Sequence, residues 1–431
     1  MFTHSKGLPL AGPFSVSRGL PTAGILAAWL VLASTGFAQS GPKRTNVTDA
    51  EVAKVHKAAL LIDTHNDVTS NTVDGLDIGK RRADGHSDLP RFKEGGVGAT
   101  FFAVYVAGNY AREGKAANRT LQMIDTVRHD IIGKYPNDFE FVTTADGIVA
   151  AHKKGKFAAL MGIEGGHAIE DSLRLLRDFY ALGIRYMTLT HSNSNNWADS
   201  SGDIEKPNNG LSKFGKEVVG EMNRLGMMVD ISHVSDKTFW DALEVSKAPI
   251  FASHSSCRSI SPIPRNMTDP MIAALGKKGG VVQINFGCEF LNPESAKSSP
   301  MQNPALREKM QAVMKTLTDI KDPTARQAAA RKLMAESGIK TVRATADDVV
   351  AHINKVVQLA GIDAVGIGSD YDGVGCVPAG LDDVSKYPVL TRKLLEAGYS
   401  AAEIQKIYGG NLLRVMRGAE KTAAELQKAV S

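Results

Sequence analysis

The stretch Leu60 to Val68, "LLIDTHNDV", decides how the rest of the chain is read. Three apolar residues lead into Asp63, His65, Asn66 and Asp67. A run that reads as a buried strand therefore ends in groups that are costly to bury unpaired. Either the strand closes in a polar turn, or it delivers ligands to a metal. Residues two apart on a strand share a face, so His65 and Asp67 can point to the same place.

Seven further β-rich apolar runs follow the first, "ALLIDTH" (Ala59 to His65). They are "ATFFAVYV" from Ala99, "FAALMGIEG" from Phe157, "RYMTLTH" from Arg185 and "MMVDISH" from Met227, then "PIFASHS" from Pro249, "GVVQINF" from Gly280 and "AVGIGSD" from Ala364. Between them lie patterns such as "SLRLLRDFYALG" and "FGKEVVGEMNRLG", with apolar residues at helical spacing and a glycine near the end. Continuous apolar strands alternating with amphipathic helices predict a parallel sheet covered by helices. Eight such units predict a single closed (β/α)8 barrel of the α/β class. No Gly-x-Gly-x-x-Gly follows the first strand, which argues against a dinucleotide-binding sheet. Residues 292–339 break the rhythm and predict a helical insertion after strand seven, two helices parted by Asp322-Pro323, lying over the barrel mouth.

The chain has 431 residues, 43% hydrophobic and 23% charged, an ordinary globular balance. Its 51 Lys+Arg against 46 Asp+Glu are scattered rather than clustered, so no nucleic-acid surface is expected. Lys6 and Arg18 precede "AGILAAWLVLASTGFAQS", a basic region, an apolar run and then small residues. This reads as an export signal over residues 1–38, cleaved after Ala38, with residues 39–431 as the barrel domain. The apolar run is short for a membrane span, and the protein is expected in a periplasmic or secreted location. The alternative is an uncleaved N-terminal anchor. Three cysteines, Cys257, Cys288 and Cys376, allow at most one intramolecular bridge. Cys257 and Cys288 follow adjacent strands, and Cys376 competes for Cys288. No Cys-x-x-Cys pair is present, which removes the common structural zinc patterns.

The ends of the expected strands carry the functional signal. They present His65 and Asp67, Glu164, His191, His233, His254 and Asp370. In a parallel barrel these ends lie on one face, the face on which barrel enzymes build their active sites. Each residue alone has an ordinary reading as a satisfied polar group. Together they pack carboxylates and imidazoles into one pocket, which calls for a cation. Imidazole nitrogen and carboxylate oxygen without thiolate suit catalytic zinc. Asp67, Glu164 and three of the imidazoles already make five ligands, more than one open zinc site needs, and two metals sharing a carboxylate are the simplest arrangement.

The residues that make this pocket sit in motifs: "IDTHND", "FKEGGVGATFF", "GIEGGHAIEDSL", "RYMTLTHSNSNNWADS", "DISHVS", "FASHSS", "PRNMTD", "GIGSDYDGV", "GLDDVSKYP" and "GGNLLRV", in this order from Val52 to Met416. The chain thereby resembles the membrane (renal) dipeptidase family, zinc peptidases among the amidohydrolase-like barrels. The resemblance implies an enzyme that hydrolyses dipeptides, L-L and in some members L-D. It implies that His65 and Asp67 bind one zinc, that Glu164 bridges two, and that His233 and His254 bind the second. It places His191 beside the substrate's carbonyl oxygen, Arg265 on the substrate's C-terminal carboxylate, and Asp370 at the attacking water and the free amine as proton shuttle. Asp372 competes with Asp370 for that role, and His167 reads as a helix-start residue. The lipid anchor and disulfide framework of animal members do not map onto this chain. The rivals are another metal hydrolase of the same superfamily, acting on lactones, acyl-amino acids or phosphoesters, and a catalytically silent zinc-binding barrel. The oligomeric state is left open, a homodimer included.

Overall fold

All eight expected runs form strands. In a computed structural model, residues 42–298, 303–317 and 342–429 are described, with scattered positions between 320 and 336. The expected export signal lies outside the described residues, as does much of the second helix expected near Asp322-Pro323. The strands are β1 (Leu61–Asn66), β2 (Val97–Tyr105), β3 (Phe139–Phe141), β4 (Phe157–Glu164), β5 (Ile184–Thr188), β6 (Met228–Asp230), β7 (Phe251–Ser255), β8 (Val281–Ile284) and β9 (Val365–Ile367). The parallel order β1-β2-β4-β5-β6-β7-β8-β9 makes the barrel wall, and β3 pairs with β4 outside it. β3 has no counterpart in the sequence reading, because three residues are too few to show a periodicity.

The barrel closes between its first and last strands just beyond β9. Asn66 pairs with Tyr371. The amide of Asp370 donates to His65 O at 3.0 Å, and that of Asp67 donates to Tyr371 O at 2.9 Å. Asp63 fastens this seam: its buried carboxylate accepts from the amide of Ser369 at 2.8 Å and the hydroxyl of Tyr387 at 3.0 Å. One polar residue of "IDTHND" is therefore structural. The register then levels the strand ends on the same face. Tyr105 pairs with Glu164, Glu164 with Thr188, and Thr188 with Asp230.

The helices form as their sequences dictate. Lys213–Leu225 starts at Ser212, whose hydroxyl accepts from Gly215 N, and stops at Gly226, whose φ of 85° suits a glycine C-cap. Ala346–Ala360 opens with a Thr345/Asp348 capping box and precedes β9. The insertion enters between β8 and this helix, and its described part includes the helix Pro304–Leu317. At the other end of the barrel the helix Asn411–Lys428 packs across the strand N-termini. Leu412, Val415, Met416 and Ala419 join one buried cluster with Ile62, Phe101, Tyr186, Met228, Phe251 and Val281. The side-chain amide of Asn411 donates to Ile362 O and Val365 O at 2.7 and 2.8 Å. One face is thus sealed, and the polar strand ends occupy the other.

Cys288 and Cys376 form a disulfide with Cα atoms 5.4 Å apart, joining the segments that follow β8 and β9. Cys257 is free and buried. Among the described residues no helix is long and apolar enough to cross a membrane.

Candidate metal centre

Glu164, the last residue of β4, is the hub of the polar face. Its Oε2 lies 3.5 Å from His65 Nε2. Its Oε1 lies 2.9 Å from His233 Nε2, 3.4 Å from His254 Nε2 and 3.6 Å from His191 Nε2. His65 Nε2 is also 3.2 Å from Asp67 Oδ2. The ligand-type atoms fall into three groups, each within 4.8 Å: His65, Glu164 and His254; Glu164, His191 and His233; His65, Asp67 and Asp370. All seven strand-end residues named from the sequence are brought together. Only His65, Glu164 and His254 stand within strands. Asp67, His191, His233 and Asp370 lie just beyond them, in the loops. His233 and Asp370 take positive φ, 68° and 61°. Such backbone costs about 1–3 kcal/mol per residue and persists where surrounding structure enforces it.

The loop after β9 passes unusually close. A Cβ on Gly373 would lie 2.2 Å from Asp370 Oδ1 and 2.3 Å from Asp67 Oδ2, so only glycine fits there. Asp370 is held by Asn285, whose side-chain amide donates to Oδ2 at 2.7 Å. Asp372 is committed elsewhere: its Oδ1 accepts from Arg82 Nη1 at 3.2 Å and from His86 N at 3.0 Å. Of the two competing acids, Asp370 is the one that faces Asp67 and His65. His167 sits in the short 3-10 turn Gly166–Ile169 with its Nε2 on Val106 O at 2.8 Å, a helix-start position as expected.

Burial governs the electrostatics. It opposes the charge of Glu164, yet the facing His65 and His191 outweigh it and hold this carboxyl well below its usual range. It would likewise lower His65, but Tyr186, Asp67 and Glu164 carry that imidazole well above its ordinary value. Burial drives His191 down to about 4 and His233 and His254 well below their usual range. Burial, with the like charge of Asp67, lifts Asp370 well above a normal carboxyl. The cluster thus sets three imidazoles that resist protonation, His191, His233 and His254, beside carboxyls of which Asp67 and Asp370 resist ionisation while Glu164 is held ionised, and a dication among them would favour the neutral imidazoles and the ionised carboxylates together. The donor set fits one. Among the described residues, His65 Nε2 and Asp67 Oδ2 are buried with no hydrogen-bond partner. The Nε2 atoms of His233 and His254 face each other at 2.9 Å beside the same carboxylate oxygen.

Arg265 flanks this cluster. It is buried, its guanidinium over the Phe290 ring at 5.2 Å, with Nη2 3.3 Å from His254 O and Nη1 3.4 Å from Ser255 Oγ. Burial lowers it to about 10, so it keeps its charge at neutral pH. A guanidinium has five N–H donors, and the two long contacts leave several for a ligand. Four residues at the site were not singled out from the sequence: Tyr186, Asp230, Ser253 and Asn285. Tyr186 reaches His65 Nδ1 at 2.8 Å, across a floor where Gly162 has no side chain; a Cβ there would lie 2.0 Å from the Tyr186 ring. Asp230 is legible only as the acid of "DISH".

A model of the family described as membrane dipeptidase (Peptidase family M19) matches residues 49–430. The chain is 35% identical over 395 residues to an uncharacterized dipeptidase of Schizosaccharomyces pombe, covering 87% of this chain and 84% of that one. Among solved structures it is similar to the probable dipeptidase PvdM from Pseudomonas aeruginosa, with a TM-score of 0.73, 26% identity, and coverage of 87% of this chain and 98% of that chain. A metallo peptidase from Rhodobacter sphaeroides, liganded with a phosphinate mimic of L-Ala-D-Ala, shares the fold at a TM-score of 0.68 and 24% identity, covering 84% and 99%.

Proposed function

We propose, from the premise that this chain belongs to the membrane dipeptidase family and is a metal-dependent dipeptidase, that it is an exported enzyme using two zinc ions. One observation carries the reading: the two oxygens of Glu164 face different ligand groups, Oε2 toward His65 and Oε1 toward His233, His254 and His191. His65 and Asp67 would hold one zinc, His233 and His254 the other, and Glu164 would bridge them. When bound, the zincs supply Lewis acidity that makes water a nucleophile at neutral pH and polarises the peptide carbonyl.

The chain's own residues do the rest. Arg265 grips the substrate's free carboxylate with a fork already desolvated and aimed. That contact measures the substrate and favours dipeptides over longer chains. Asp370 takes the proton of the attacking water and hands it to the leaving amine; Asn285 holds its other oxygen and fixes its direction. His191, neutral at working pH, donates to the carbonyl oxygen as negative charge develops there. The substrates are L-L dipeptides, with L-D dipeptides as a second class. Residues 1–38 act as the export signal and residues 39–431 as the catalytic domain.

The test is a panel of L-L and L-D dipeptides, an acylated amino acid, a lactone and a phosphoester, assayed with zinc-loaded mature protein. The reading expects the dipeptides to dominate in kcat/KM. A folded, zinc-loaded sample that prefers any of the other classes refutes it.

A further inference from the structure

The ring nitrogens that face Glu164 are the Nε2 atoms, and their role depends on where each imidazole keeps its proton. Hydrogen-bond counting on the far side of two rings answers this. Asp230 is fully buried at the end of β6 and receives four donors. Its Oδ1 takes the amides of Ser232 and Ser253 at 3.0 and 2.8 Å. Its Oδ2 takes the hydroxyls of Thr188 and Ser253, the latter at 2.6 Å. With two backbone N–H groups on one oxygen and two hydroxyls on the other, both oxygens act as acceptors. Ser253 therefore spends its single proton on Asp230. The same Ser253 oxygen lies 2.7 Å from His254 Nδ1 and can only accept there. His254 must carry its proton on Nδ1, which leaves Nε2 bare.

Tyr186 does the same for His65. Its hydroxyl lies 3.1 Å from Thr64 O and 2.8 Å from His65 Nδ1. The carbonyl cannot donate, so the tyrosine proton goes to it and His65 Nδ1–H donates to the phenol oxygen. A proton on the other side would set two oxygen lone pairs against each other.

We propose that Asp230, acting through Ser253, and Tyr186 are positioning residues that lock His254 and His65 in the Nδ1–H tautomer, presenting bare Nε2 atoms to the metal centre. This deepens the reading above and rests on it for the identity of the ligands. Its distinctive consequence concerns polarity rather than packing. In Asp230→Asn the new amide group cannot face the two backbone N–H donors, so it turns toward the hydroxyls. Ser253 then accepts from the asparagine and donates to His254 Nδ1, which forces the proton onto Nε2. The variant is isosteric, yet it blocks a ligand atom.

The experiment labels histidine with nitrogen-15 in metal-stripped full-length protein. Long-range proton–nitrogen spectra at roughly pH 8, above the ordinary imidazole range, are assigned against single His→Asn variants. His254 is expected as Nδ1–H in the unsubstituted protein and as Nε2–H in Asp230→Asn, while His65, which its neighbours hold protonated without metal, is read through the zinc affinity of Tyr186→Phe. Zinc affinity, read by chelator competition, is expected to fall about 10–100-fold in Asp230→Asn, the usual cost of losing an outer partner of a ligand. Ser253→Ala and Tyr186→Phe serve as second variants should the first fail to fold, each expected to weaken zinc binding. An Nε2–H tautomer for His254 in the unsubstituted protein, or unweakened zinc binding in a folded variant, overturns the proposal. Correct tautomers in a protein that hydrolyses no dipeptide would sustain this inference and sink the proposed function instead.

Discussion

Replacing Arg265 by methionine keeps the length and apolar stem of the side chain and removes only the guanidinium. The side chain is buried against Phe290 and tethered to the carbonyl of His254, so it waits in place before substrate arrives. A carboxylate gripped by such a fork gains two charge-assisted hydrogen bonds, each worth about 1.5–3 kcal/mol. Allowing for water that solvates the carboxylate in the variant, the loss comes to about 3–4 kcal/mol. At 1.36 kcal/mol per decade this is about 150–900-fold in kcat/KM. Most of it belongs in KM, because the carboxylate takes no part in the bond change and is held alike in ground and transition states. The discriminating assay compares a dipeptide with its C-terminal amide. The parent enzyme should prefer the free acid by a factor of the same order, and Arg265→Met should treat acid and amide nearly alike. A variant that still strongly prefers the free acid would show that another group reads the carboxylate, and the role given to Arg265 would fall.

Asp370→Asn keeps the hydrogen bond to Asn285 within reach but removes the base; kcat should drop about 100–10,000-fold with KM little changed, and a steady-state kcat within threefold of the parent would contradict the shuttle. Gly162→Ala pushes a methyl into the ring of Tyr186, so denaturant unfolding should show about 1–3 kcal/mol of lost stability together with weaker zinc binding, whereas an unchanged midpoint would mean the barrel floor yields freely. His352, away from the metal centre, accepts from Cys257 N and contacts Leu291 O, and burial lowers it from 6.5 to about 4. Its folded value is depressed, so the unfolded chain binds the extra proton first. Stability is whole above about pH 6.5 and falls by about 3 kcal/mol as pH drops to about 4. Denaturant unfolding across that range should be measurably flatter in His352→Gln, and equal slopes would remove His352 from the acid limb.

Much of this was legible because a parallel barrel converts order along the chain into position. Once eight apolar runs are read as parallel strands, their C-terminal ends share a face, and His65, Glu164 and His254 need no further information to meet. The finer placements depend on contacts between distant segments. The choice of Asp370 over Asp372 rests on Arg82 and His86, which occupy Asp372 from 290 and 286 residues away. The disulfide followed Cα separation, which brings Cys376 rather than Cys257 to Cys288. His233 and Asp370 sit in left-handed backbone beyond their strands, a conformation that propensity assigns to glycine. Asp230 and Ser253 escaped notice because a buried acid and a buried serine look, in sequence, like any polar residues inside a strand. Only the count of donors around them gives them a role.

Two metals sharing one carboxylate are the centre of the proposed chemistry. The most direct measurement strips the purified mature protein with chelator and adds zinc in known equivalents, following bound metal and hydrolysis of an L-L dipeptide together. No turnover is expected without metal, and activity should reach its plateau at two zincs per chain. Full activity in the stripped protein, or a plateau at one zinc with no second ion bound, would contradict the shared-carboxylate centre.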